Sequence, residues 1–84
     1  MARFHLNLIN QVGFVPDHDG VELPDLTSAR AEAIRNIRSI LAEEVLKGRL
    51  DLSGQIEIAR SDGQIDEIVH FAEALTLEQA KDGG

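Results

Sequence analysis

Arg30 is the side chain whose position calls most strongly for a partner. It follows Asp25 by five residues and its helical phase points it into an apolar stripe, where an unpaired guanidinium would be prohibitively costly. A carboxylate must therefore meet it, and Glu22 and Asp19 are the nearest in sequence. One turn past a helix start, Arg30 could instead recognise an anion. Asp17-His18-Asp19 offers the donor types of a metal site. The calcium-loop spacing fails, because Gly20 follows Asp19 directly and no Glu stands at the required distance. Zinc would need two further ligands, and His5 and His70 are distant in sequence. In strand phase His5 and His70 share an open sheet face with Glu57 and Asp66, an acid–base grouping, but such a face is flat and forms no pocket. Nucleophilic catalysis has no signature: Cys is absent, and Ser53 and Ser61 fall in turns with no histidine beside them. The glycines are scattered as turn punctuation and make no phosphate cradle. No catalytic residue, metal or cofactor is expected. The binding candidates are Arg30, Glu22, Asp19, His5 and His70.

The elements that hold these residues are readable. Arg3-Phe4-His5-Leu6-Asn7-Leu8 alternates with the period of a half-buried strand, Phe4, Leu6 and Leu8 facing inward. After a turn at 10–13, Phe14-Val15 returns antiparallel, and Pro16 keeps that strand short or at an edge. Asp19-Gly20-Val21-Glu22-Leu23-Pro24-Asp25-Leu26 reads as a tight turn, a short strand and a capped helix, with Asp25 as N-cap. A helix over residues 25–47 puts Leu26, Ala33, Ile34, Ile37, Ile40, Leu41 and Val45 on one face, and Gly48 stops it. Gln55-Ile56-Glu57-Ile58 resumes alternation, Asp62-Gly63 is a hairpin signal, and Gln64 to Phe71 returns. A two-residue turn with Ser61 facing Gln64 pairs Ile56 with Val69 and Ile58 with Glu67, leaving Glu67 to be relieved by Arg60. The expected fold class is α+β, ordered β-β-α-β-β: one four-stranded, mainly antiparallel sheet with a single long helix on one face.

With these elements in place, the chain resembles a family of short uncharacterised bacterial proteins, a domain-of-unknown-function family. The resemblance rests on Asp19, Gly20, Glu22, Leu23, Pro24, Asp25 and Leu26, then Ala29, Arg30, Glu32 and Ala33. Gly48-Arg49-Leu50-Asp51-Leu52-Ser53-Gly54 and the Asp62-Gly63 hairpin fit as well. It implies a small bacterial protein and no assigned activity.

Composition narrows the functions further. The 84 residues make one domain, expected over 1–75 with a frayed tail over 76–84. Without cysteine, a signal-peptide layout or a long apolar run, a cytoplasmic setting is the default. The net charge of −7 is uneven: five basic and seven acidic side chains over 1–48, three and eight over 49–84. Such a field repels nucleic acid and anionic lipid, and three Phe with no Trp or Tyr leave little surface for base stacking. The expected role is a non-enzymatic accessory or protein-interaction module, monomeric or weakly dimeric. It would bind through the sheet edge at Phe14-Val15 or through the acidic C-terminal half. One alternative is an antitoxin-like partner of a basic toxin, since the Leu-Pro-Asp-Leu segment is loosely similar to small antitoxin domains. Another is a ubiquitin-like carrier using Gly83-Gly84, by analogy of element order alone.

Overall fold

A computed structural model describes residues 1–78. The tail from 79 onward, with Gly83-Gly84 and the carrier reading attached to them, lies outside the described residues. Five strands and one helix follow in order: β1 Ala2–Asn10, β2 Gly13–Val15, β3 Val21–Leu23, α1 Leu26–Leu46, β4 Gln55–Arg60 and β5 Ile65–His70. A 3₁₀ turn over Phe71–Ala74 ends them. The class is α+β, as the alternation and the helical stripe predict. Every pairing is antiparallel in the order β2-β1-β4-β5, with β3 also on β1.

The four expected strands are five. With nine residues, β1 is long enough to carry two short partners end to end along one edge. β2 pairs with its far end (Leu8↔Val15) and β3 with its near end (Phe4↔Val21). The short strand before the helix is therefore a member of the sheet.

Helix α1 begins where Asp25 Oδ1 accepts the Ser28 N–H at 2.8 Å, which also holds that carboxyl below its usual range. It ends in a Schellman arrangement: Gly48 N–H donates to the Val45 carbonyl and Arg49 N–H to that of Glu44. Gly48 supplies the left-handed residue this requires, at φ +85°. Ala29, Ala33, Ile37 and Leu41 are buried against Phe4, Leu6, Ile56, Ile58, Val69 and Phe71. The two alanines are what let the helix axis approach the sheet. Val45 departs from the expected stripe, being 55% exposed. A 21-residue helix runs about 31 Å. A six-residue strand runs about 20 Å. The last turn of α1 accordingly reaches past the ends of β4 and β5 in length, and its Val45 and Leu46 are exposed.

The hairpin between β4 and β5 keeps the expected pairs Ile56↔Val69 and Ile58↔Glu67 by a different route. Its loop has three residues: Arg60 N–H donates to the Gln64 carbonyl at 2.8 Å and Gly63 N–H to the Arg60 carbonyl at 2.9 Å. Ser61 therefore does not face Gln64. A register shift after Ile58, where Ala59 pairs with Ile65 and Asp66 is the extra residue, restores the pairing beyond it.

Candidate functional site

The chain leaves the sheet at Pro16 and rejoins it at Val21, and in that gap the edge of β1 opposite β4 has no strand beside it. Asp17 fills the gap. Its Oδ2 accepts the Leu6 N–H at 3.1 Å and its Oδ1 the Gly20 N–H at 3.1 Å. Its own N–H donates to Asn7 Oδ1 at 2.9 Å, and its carbonyl accepts from His5 Nδ1 at 2.6 Å. One residue thus supplies what a strand would, and pins the loop over the edge of the helix-free face. Gly20 completes the turn at φ +71°, where a Cβ would lie 2.9 Å from the Phe4 carbonyl oxygen. Asp17→Ala is expected to strand the Leu6 N–H and release the loop, costing ~1–3 kcal/mol in denaturant unfolding. An unchanged midpoint would show that the loop is not held by this side chain.

Because a carbonyl can only accept, His5 carries its proton on Nδ1, and Nε2 of the neutral ring is an acceptor. The Ser61 hydroxyl, 56 residues away in sequence, lies 3.3 Å from that Nε2. Sequence reasoning placed no histidine near Ser61. Only the antiparallel pairing of β1 with β4, with His5 opposite Ala59, brings the hairpin loop to His5. A hydroxyl, an imidazole and an acceptor in series have the order of a nucleophile, a base and its orienting group. Here the orienting group is an uncharged carbonyl, which gives an imidazolium little of the stabilisation a carboxylate would. The series ties the 16–20 loop to the β4–β5 loop.

These two loops wall a hollow of about 390 Å³ on the helix-free face. Its lining includes His5, Asn7, Phe14, Asp17, His18 and Glu57, closed on the hairpin side by Arg60, Ser61 and Ile65. The face expected to be flat carries a shallow, open depression at this point. Arg60 does not relieve Glu67. Its Nε donates to Asp66 at 2.7 Å, since the bulge brings Asp66 to it, and that bond raises the guanidinium pKa. No group of three or more His, Asp or Glu among the described residues is placed to hold a metal ion.

Arg30 is clasped, but not by the expected acids. Its Nη1 lies 2.5 Å from Glu67 Oε2 and its Nη2 2.8 Å from Glu73 Oε1, on the helix-bearing side of β5. Asp19 and Glu22 are out of reach because β3 pairs with β1. There Arg3 donates to Glu22 Oε1 at 2.9 Å and to the Asp19 carbonyl at 2.7 Å. Arg30 keeps 36% of its side-chain surface, so it lies at the margin of the apolar stripe and not at its centre. Arg30, and then the backbone N–H of His70, hold the Glu73 carboxyl below its ordinary value of 4.5. A depressed carboxyl contributes stability that is complete above 4.5 and is lost as the pH falls through the lower folded-state value. Glu73→Gln is accordingly expected to flatten part of the acid limb of a stability–pH curve. An identical limb in the variant would contradict the clasp.

His70 does not join His5. It pairs with Gln55 while His5 pairs with Ala59, about 13 Å apart along the strands. Of the expected acid–base grouping, only Glu57 lines the hollow with His5.

A family model for a domain of unknown function, DUF6894, matches residues 3–72. The chain belongs to this family. No curated protein and no solved structure matched it. The DUF6894 match takes in every residue that lines the hollow and stops one residue short of Glu73.

Proposed function

We propose that this chain is a small non-enzymatic accessory module of the bacterial cytoplasm that binds a partner protein through the helix-free face of its sheet. The observation that carries the reading is the character of that face. Phe14, 56% exposed, and Ile65, 47% exposed, line the hollow, and Ile68, opposite Glu57 on the same face, is 39% exposed. A partner docked on this face would cover that apolar surface. The sheet edges suit a partner less well, since β2 has three residues before Pro16. β5 is bulged at Asp66 and its His70 N–H is taken by Glu73, both of which blunt an edge against strand addition. A charge of −7 favours a basic partner, and an antitoxin-like neutralisation of a basic toxin is one form of this reading. No helix is long and apolar enough to cross a membrane.

Affinity capture from the cells that make the protein tests it. The wild-type chain is expected to retain a partner that Phe14→Asp and Ile68→Asp lose while keeping the wild-type circular dichroism spectrum. A rival surface lies at the C-terminal end of α1, where Val45, Leu46, Leu50 and Leu75 border an apolar groove of about 410 Å³. Loss of the partner on Leu46→Asp, with both face variants still binding, would move the site there.

A further inference from the structure

Among the described residues, the hollow holds one carboxylate without a counter-charge. Glu57 sits half-buried at mid-strand on β4, between Asn7 of β1 and Ile68 of β5. Among the described residues no hydrogen bond or ion pair engages its side chain. Asp17, the other acid of the hollow, has one oxygen on the Leu6 N–H and the other on the Gly20 N–H. Arg60, the one permanent cation among the described residues of the lining, is turned to Asp66 at 2.7 Å. His5 Nε2 is taken by the Ser61 hydroxyl, the Ser61 oxygen keeps its lone pairs as an acceptor, and Phe14 is an exposed aromatic ring on the β2 side.

We infer that the hollow receives a cationic side chain, an arginine or lysine presented by the partner protein, with its charged head on Glu57 and its aliphatic stem toward Phe14. This rests on the proposed protein-binding role of the same face. The occupant follows from complementarity. An anionic group would meet Glu57 directly, and an apolar one would desolvate that carboxylate without replacing its lost hydrogen bonds. A cation over an exposed aromatic ring adds a further attraction. Arginine fits better than lysine, because its planar fork can span a carboxylate bidentately.

The probe is a set of three capped tripeptides, Gly-Arg-Gly, Gly-Leu-Gly and Gly-Glu-Gly, titrated into the full chain and followed by amide nuclear magnetic resonance. Gly-Arg-Gly is expected to produce saturable shifts at Phe14, Glu57 and Ser61, and the other two none. Glu57→Gln, which preserves shape, is expected to weaken that binding about tenfold. Phe14→Leu is expected to weaken it about threefold. Equal responses to the three peptides, no saturable response at all, or an affinity untouched by Glu57→Gln would overturn the inference. The two readings fail separately. A captured partner that is lost on Phe14→Asp but kept on Glu57→Gln leaves the binding face in place and removes the cation from it.

Discussion

Replacing Ile37 with alanine is expected to remove ~2–5 kcal/mol of unfolding free energy. The side chain has no exposed surface and stands at the middle of the buried stripe of α1, between Ala33 and Leu41. Its neighbours are sheet residues, including Ile56, Ile58 and Val69, each at most 2% exposed. They cannot collapse into the space without breaking strand pairing, so a cavity remains and adds to the lost transfer energy. A domain of this size has a total stability of ~5–15 kcal/mol, so much of its margin would go. Each kcal/mol is worth ~4–8 °C here, which predicts a fall in Tm of about 10 °C or more by differential scanning calorimetry. A change of only a degree or two would mean that α1 presents a different face to the sheet.

The second large effect is expected at Gly54. A Cβ there would lie 2.7 Å from Phe71 Cε2 and 2.8 Å from Cζ, well inside contact distance. The Phe71 ring is 3% exposed and its N–H is bonded to the Gly54 carbonyl at 2.9 Å, so neither partner can withdraw. Gly54→Ala should destabilise by ~1–3 kcal/mol through overpacking. Adding Phe71→Leu should recover part of that loss, because the smaller side chain vacates the contested volume. Simple additivity of the two changes would show that they do not share it.

Legibility followed the range of the interactions. The stripe of α1, its Asp25 cap and its Gly48 stop depend on residues within a few positions of one another, and, Val45 apart, each stands where the local pattern puts it. The Ile56↔Val69 pair matches the expected one only because the extra residue at Asp66 offsets a loop one residue longer than the Asp62-Gly63 signal implied. Arg30 shows the opposite case. Its need for a carboxylate was legible from phase alone, but Glu67 and Glu73 lie 37 and 43 residues away, and sequence proximity favoured the wrong acids. The hollow was hidden for the same reason. Nothing local in Asp17 says that it replaces a strand partner for Leu6, and nothing near Ser61 says that His5 will meet it. A nine-residue β1 facing two short partner segments was the available signal that a gap, and a residue to fill it, must exist.

In the proposed function the helix-free face, and not the C-terminal end of α1, meets the partner. Photo-crosslinking in the producing cells tests it most directly, with a benzophenone amino acid placed in turn at positions 14, 65 and 46. The expected result is one discrete adduct of the same partner from positions 14 and 65, and none from position 46. An adduct from position 46 alone, or no discrete adduct from either face position in a chain that still captures its partner, would contradict it.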